Sequence, residues 1–125
     1  MGIQTVKDLN VYNEAFNLAM TVFSECKSFP NSEKYSLTSQ IIRYSRSIAA
    51  NIREGYTKRA DEQIFARHLI DALGSSEETR CWLDFALSCG YINAEKHSEL
   101  DKSYAKLSAM IFALRKNWKP LNPKR

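Results

Sequence analysis

The chain has 125 residues, of which 44% are hydrophobic and 26% charged, and its formal net charge is +4. This length is typical of one domain and this composition of a globular protein, which excludes the disordered and fibrous classes. The first residues lack the apolar segment of a secretory signal, and no window is apolar enough to span a membrane. The cysteines, Cys26, Cys81 and Cys89, form no C-x-x-C pair. We therefore expect a cytoplasmic protein with reduced thiols.

Four apolar seams with helical spacing follow one another along the chain, which contains only four glycines and three prolines. The first seam predicts a helix over residues 8–27, ending before Pro30, and the second a helix over residues 33–56. Asp61 can cap a third helix over residues 61–89, which stops at Gly90. Asn93 can cap a fourth over residues 93–118, which ends before Pro120. Residues 120–125 are predicted to be a basic tail.

The connections between these predicted helices are only about four to six residues long, so neighbouring helices must run in opposite directions. The sequence therefore predicts an all-α fold, an antiparallel up-and-down four-helix bundle that forms one domain over residues 1–119. An elongated three-helix arrangement or a coiled-coil hairpin is the alternative.

The sequence indicates no active site, cofactor or metal site. Bundles that hold two iron ions use Glu-x-x-His pairs, whereas Phe65 stands three residues before His68 and Ala94 three before His97. An H-E-x-x-H motif, a P-loop and a glycine-rich dinucleotide turn are also missing from the sequence. We therefore expect a protein that is not an enzyme and uses neither metal nor cofactor.

Positive charge is concentrated in two segments of the chain. Residues 36–59 carry a net charge of +4 and residues 115–125 a net charge of +5, while the remaining residues are acidic overall. Helical geometry places the arginines of the first segment on one outward stripe, opposite the apolar seam. Such a stripe can contact successive phosphates without reading a base sequence, although an ordinary solvated face is the alternative. The candidate nucleic-acid-binding residues are Arg43, Arg46, Arg53, Lys58 and Arg59, helped by the basic tail.

Large apolar residues also lie away from the core seams. Trp82 and Phe85 on the third helix, together with Ile42 on the second, are candidates for an oligomer interface. The alternative is that a wide core stripe absorbs Trp82.

Three polar residues of the second helix, Gln40, Asn51 and Glu54, form a strip beside the core. We interpret this strip as a structural hydrogen-bonding network that fixes helix register or subunit orientation. An active site would need a nucleophile or a metal ligand close by, and the sequence offers none there.

Residues 29–55, FPNSEKYSLTSQIIRYSRSIAANIREG, match the pattern FP-x-x-E-x-Y-x-L-x-x-Q-x-x-R followed by S-I-x-x-N-I-x-E-G. Downstream, residues 72–78 match A-x-G-S-x-x-E, and Gly90-Tyr91 matches a closing GY. On these motifs the chain resembles, over nearly its whole length, the family of the intervening-sequence protein of large-subunit (23S) ribosomal RNA. It departs from the pattern at Arg53, where the family usually has Ala.

The resemblance implies a four-helix bundle that assembles as a ring-like homopentamer and has no established enzymatic activity. It also implies kinship with the accessory variability determinant of diversity-generating retroelements, which is associated with a reverse transcriptase and nucleic acid. A five-fold ring would repeat the basic segment five times and attract RNA. We therefore expect a non-catalytic homo-oligomeric scaffold that binds structured RNA or single-stranded nucleic acid electrostatically. The alternative is a protein-interaction adaptor, for example for a polymerase or reverse transcriptase, without direct nucleic-acid binding.

Overall fold

The structure, a computed structural model, describes residues 5–118. These residues form four α-helices, α1 (Asn10–Cys26), α2 (Leu37–Thr57), α3 (Glu62–Ser88) and α4 (Ala94–Asn117), and two short 3-10 turns at Val6–Asp8 and Asn31–Glu33. Along the chain each helix packs on the next, and α4 returns to contact α1. The predicted all-α four-helix bundle is confirmed.

The start of α2 differs most from the predicted bounds. Glu33, predicted as the first residue of this helix, lies in a 3-10 turn, and α2 begins at Leu37. The Oε1 atom of Glu33 accepts hydrogen bonds from the Leu37 backbone N–H at 3.2 Å and from the Ser36 hydroxyl at 2.6 Å. An acceptor at this point satisfies an N–H group that has no partner within the helix. Glu33 therefore caps α2 from outside it.

Other helix ends follow the prediction closely. The Asp61 carboxylate accepts hydrogen bonds from two backbone N–H groups of the first turn of α3, and Asn93 accepts one from Lys96 in α4. Gly90, just after α3, has a φ of 79°, a conformation that side chains with a Cβ rarely adopt. The predicted basic tail, residues 120–125, lies outside the described residues.

The core is a single cluster between the four helices, and each helix contributes its predicted seam. Its largest fully buried side chains include Phe65, Ile41, Tyr104 and Leu107. The buried hydroxyls of Ser76 and Ser108 lie 2.8 Å apart and pair with each other across α3 and α4. Within residues 5–118, none of the helices is both long and apolar enough to cross a membrane.

The close approach of α2 and α3 depends on one glycine. Gly55 is buried in the last turn of α2, and a Cβ atom at this position would lie 2.6 Å from the Cβ of His68 and 3.1 Å from the Phe65 ring. A separation below 3.0 Å would force the two helices apart, because the Cβ of His68 moves only with its helix. The absence of a side chain at residue 55 therefore sets the spacing of α2 and α3.

Candidate nucleic-acid interface

The predicted arginines Arg43, Arg46 and Arg53 line a groove between α1 and α2, which we call the α1–α2 groove. They belong to α2, and their side chains are exposed. The groove contains two adjoining cavities of about 640 Å³ and about 300 Å³, and Arg46 lines both. The structure therefore brings the three arginines together along one recessed surface.

Each of these arginines lies near an aromatic ring. The guanidinium carbon of Arg43 is 5.7 Å from the ring centre of Tyr44, that of Arg46 is 5.3 Å from Phe23, and that of Arg53 is 5.7 Å from Tyr12. Arg53 also donates a hydrogen bond of 3.0 Å to the Tyr12 hydroxyl. These contacts orient the guanidinium groups through cation–π attraction without neutralising them.

None of the three arginines forms an ion pair with a carboxylate of residues 5–118. Lys27 and Lys34 add two further cations to the wall of the larger cavity, and neither cavity is lined by an acidic residue. The α1–α2 groove therefore presents uncompensated positive charge, as a phosphate-binding surface requires.

The other two predicted nucleic-acid-binding residues lie apart from these cavities, at the end of α2. Lys58 pairs with Glu54 at 3.0 Å, and this hydrogen bond lowers the pKa of the Glu54 carboxyl. Arg59 lies 3.9 Å from the ring centre of Tyr56 and donates a 2.9 Å hydrogen bond to the Tyr56 carbonyl. Both cations already have partners within the chain, and neither lines the groove.

The sequence analysis missed the contribution of α1 to this surface. Phe16 and Met20 are about half exposed and line the smaller cavity, and the half-buried Phe23 lines the larger one. These residues continue from Tyr12 at helical steps of four and three. A second apolar stripe beside the core seam of α1 was therefore readable from the sequence.

The predicted oligomer-interface residues lie in two different grooves. Trp82 and Phe85, with ring centres 5.5 Å apart, line a cavity of about 280 Å³ between α2 and α3. Ile42 lies instead in the larger cavity of the α1–α2 groove. Phe85 is 52% exposed, whereas Trp82 is half-buried against the core. The structure therefore does not place Ile42 on one surface with the two aromatic residues.

Asn51, one of the three residues of the predicted polar network, contacts residues of both α2 and α3. Asn51 donates to the backbone carbonyl and the hydroxyl of Ser47 at 3.0 and 3.1 Å, and its Oδ1 lies 3.2 Å from Nδ1 of His68. Ser47 in turn pairs with Ser75 at 2.9 Å. These bonds join α2 to α3.

The other two residues of the predicted network, Gln40 and Glu54, form no direct hydrogen bond with Asn51 within residues 5–118. The Gln40 side chain lines the cavity beside Trp82, and the Glu54 side chain pairs with Lys58. His68, which contacts Asn51, also helps to lower the pKa of the Glu54 carboxyl, and a single network of Gln40, Asn51 and Glu54 stays a prediction.

One cluster, Asp84, His97 and Asp101, brings three potential metal ligands within 4.8 Å of one another. The guanidinium of Arg80, however, binds both carboxylate oxygens of Asp101, at 2.9 and 3.1 Å, and keeps the pKa of that carboxyl low. His97 Nε2 lies 2.8 Å from an oxygen of Asp84. The arrangement is best interpreted as a polar network that joins α3 to α4.

Residues 7–113 match the family model described as 23S rRNA-intervening sequence protein. The chain belongs to this family. A crystal structure of a protein of unknown function from the S23 ribosomal protein family of Bacteroides thetaiotaomicron is similar, with a TM-score of 0.78 and 25% identity, covering 86% of this chain and 96% of that chain. Among curated proteins, none matches.

The motifs that indicated the 23S rRNA-intervening sequence protein family are largely explained by packing. Glu33 of the FP-x-x-E motif accepts a 2.8 Å hydrogen bond from Tyr91 of the closing GY, and Phe29 packs on the same tyrosine with ring centres 5.4 Å apart. Ser47, Asn51 and Gly55 of the second motif all contact α3. These motif residues therefore specify the bundle, whereas Tyr35 and Arg43 of the first motif line the larger cavity of the α1–α2 groove.

Proposed function

We propose that this member of the 23S rRNA-intervening sequence protein family is a non-catalytic, homo-oligomeric scaffold that binds RNA through the α1–α2 groove. The observation that supports the proposal is the alignment of Arg43, Arg46 and Arg53 along one groove, with no carboxylate partner among residues 5–118. Arginines can hold phosphates by paired hydrogen bonds, which give affinity without base specificity.

The distribution of charge favours the same surface. Residues 61–101, which include α3 and the first part of α4, carry a net charge of −6, in contrast to the basic segment on α2. An approaching polyanion is repelled by the acidic side and attracted to the basic side. The molecule would therefore orient RNA toward the α1–α2 groove before contact.

Self-association is the second part of the proposal. Phe85 is about half exposed beside Trp82, and large aromatic residues at a surface are typical of protein interfaces. Assembly would repeat the basic groove, so that several copies could bind one RNA strand together and raise the overall affinity. The homopentameric ring is an expectation from the family resemblance, and light scattering coupled to size exclusion tests it directly.

A protein-interaction adaptor is the second candidate function. It is favoured by Phe16 and Met20, which give the smaller cavity of the α1–α2 groove an apolar floor suited to an amphipathic helix. The two candidates differ in salt dependence, since nucleic-acid binding weakens steeply with salt and an apolar contact does not.

The decisive test is charge reversal in the groove. Arg43, Arg46 and Arg53 are changed together to Glu, and binding to a structured RNA is measured by fluorescence anisotropy at several salt concentrations. We expect binding to be lost at moderate salt and the slope of log K against log salt to fall by about 2, from three phosphate contacts at roughly 0.7 each.

A matched control reverses three exposed cations elsewhere, Arg67, Lys102 and Lys106, and so changes the net charge equally. If both variants lose the same affinity, net charge alone is responsible and the groove is not the binding surface. Unchanged affinity in the groove variant would overturn the proposal outright.

A further inference from the structure

The larger cavity of the α1–α2 groove lies next to the connection between these helices, and we call it the loop-end cavity. Its volume is about 640 Å³, within the usual range of small-ligand sites. Its wall contains four cations and two aromatic rings, Lys27, Lys34, Arg43, Arg46, Phe23 and Tyr35, and no acidic residue. This cavity combines charge with flat apolar surface, whereas a simple phosphate site needs charge alone.

Tyr35 is the most exposed large hydrophobic residue of the described chain. Its side chain is 87% exposed, and its aromatic contact within residues 5–118 is with the Lys34 ammonium, 5.4 Å from the ring centre. A ring in water adds little to folding, since it buries almost no apolar area. Tyr35 is therefore available to stack on a planar ligand.

Phe23 forms the inner part of the same wall. It is half-buried, and both the Lys27 ammonium and the Arg46 guanidinium lie 5.3 Å from its ring centre. Both cations lie over the Phe23 ring, so Phe23 holds phosphate-binding charge at the cavity wall, next to the exposed ring of Tyr35. This combination is typical of sites for single-stranded nucleic acids.

Thr38 supplies an independent observation. Its hydroxyl oxygen is buried and has no hydrogen-bond partner among residues 5–118, and the residue lines the loop-end cavity. A buried polar atom without a partner costs free energy, so it is uncommon in a native structure unless a water or a ligand completes it. The edge of a nucleobase carries donors and acceptors that could pair with this hydroxyl.

We propose that the loop-end cavity receives one unpaired nucleotide of an RNA strand. The base stacks on Tyr35 and pairs with the Thr38 hydroxyl, while the surrounding cations, two of them held over Phe23, contact the adjoining phosphates. This inference rests on the proposed function and deepens it, because it narrows the ligand from any polyanion to a strand with accessible bases. The bases of a duplex stem are stacked on one another and cannot enter.

The test compares ligands of equal charge. Binding is measured by fluorescence anisotropy, at one salt concentration, for a single-stranded RNA and for an abasic strand with the same number of phosphates. We expect the base-bearing strand to bind at least about fivefold more tightly, the lower end of the stacking effect of one base. Uridine monophosphate alone should bind at least about a hundredfold more weakly than the strand, since it lacks the adjoining phosphates; equal affinity would overturn the strand as ligand.

Two variants test whether the preference for the base-bearing strand depends on Tyr35. Tyr35→Leu should reduce the affinity for the base-bearing strand to nearly that of the abasic strand and leave abasic binding unchanged. Phe112→Leu, at a 52% exposed aromatic residue of α4, should change neither affinity. Because Tyr35 is so exposed, its variant should fold normally, and its melting curve checks this.

Failure of the inference and failure of the proposed function give different results. Equal binding of the base-bearing and abasic strands by the wild-type protein, or no effect of Tyr35→Leu, overturns the nucleotide site and leaves electrostatic RNA binding in place. If the wild-type protein binds neither strand, both proposals are overturned.

Discussion

The two sides of α2 differ in how many of their polar and charged side chains find partners within residues 5–118. On the α3 side, Ser47 pairs with Ser75, Asn51 pairs with His68, and Gly55 allows the backbones to approach closely. On the α1 side, arginines lie beside aromatic rings, and two cavities remain open to solvent. One helix therefore carries a closed structural face and an open face whose arginines form no ion pair within residues 5–118.

The two faces of α2 also differ in how many of their residues belong to the family motifs. The closed face contains family-motif residues of α2, so those motifs identify a bundle and its helix spacing. The open face includes Tyr35 and Arg43 of the first motif. Most of its other lining residues lie outside the motifs, namely Phe16, Met20 and Phe23 of α1 and Arg46, and Arg53 departs from the pattern. A relative could therefore keep the fold and lack the binding surface.

The largest effect on the free energy of unfolding is expected at Gly55, where an added Cβ atom would collide with α3. Gly55→Ala places a Cβ 2.6 Å from that of His68, and we expect it to lower the free energy of unfolding by about 1–3 kcal/mol, the usual cost of overpacking. Urea denaturation measures the change.

Gly74→Ala is the matched control for this substitution. Residue 74 is exposed in the middle of α3, and a Cβ there meets no atom within 4 Å. Alanine should stabilise the helix by roughly 0.5–1 kcal/mol because glycine loses more backbone freedom on folding. Equal effects of the two alanines would contradict the assignment of Gly55 to helix spacing.

A smaller loss is expected from the hydrogen bonds of the closed face. Asn51→Ala removes the contacts with Ser47 and His68, and we expect it to cost about 1 kcal/mol. A double-mutant cycle with His68→Ala isolates the contact across the interface. If the two losses add fully, Asn51 and His68 are not coupled, and their contact does not help to hold α2 to α3.

The sequence predicted the helices better than their contacts. Apolar spacing was sufficient for four helices and for the caps Asp61 and Asn93, because these are local properties of the chain. The partners of Asn51 were unpredictable, since they depend on the register of two antiparallel helices. Glu33 was wrongly assigned to the start of α2 for a related reason. Its carboxylate caps the helix from four residues before its first residue, and it also accepts a hydrogen bond from Tyr91, which is 58 positions away.

The candidate site was predicted only in part. The arginine stripe on α2 followed from helical geometry, but the aromatic stripe of α1 was not considered beside it. The two stripes form one groove only because α1 and α2 pack side by side, and the sequence pattern of each helix does not contain this arrangement. Ile42 was assigned to a surface with Trp82, although Ile42 lines the groove between α1 and α2 and Trp82 lines the cavity between α2 and α3.

The contact between Glu33 and Tyr91 should make stability depend on pH. Three hydrogen bonds, the first from Ser36 and another from Tyr91, lower the pKa of the Glu33 carboxyl below its usual 4.5, and the bond to Glu33 raises the pKa of Tyr91 to about 12. The lowered carboxyl pKa contributes stability above about pH 4.5 that is lost as the pH falls through the folded value. The raised phenol pKa contributes stability below about pH 10 that is lost as the pH rises toward 12.

Tyr91→Phe tests this dependence by removing the hydroxyl alone. Urea denaturation of both proteins should show a constant destabilisation between about pH 5 and 9 that shrinks at either extreme. A destabilisation that stays the same down to the lowest pH at which both proteins remain folded would indicate that the hydroxyl acts through packing, with no contribution from the Glu33 charge.

The smallest effect on stability is expected on the open face. Changing Arg43, Arg46 and Arg53 to Gln should alter the free energy of unfolding by less than about 0.5 kcal/mol per residue, since these side chains are exposed and form no ion pair within residues 5–118. The loss of repulsion among like charges opposes the loss of cation–π contacts, which are weak at exposed sites. The same variant should nevertheless bind RNA much more weakly. If instead it unfolds at markedly lower urea, the arginines stabilise the α1–α2 pair, and the open face is as structural as the closed one.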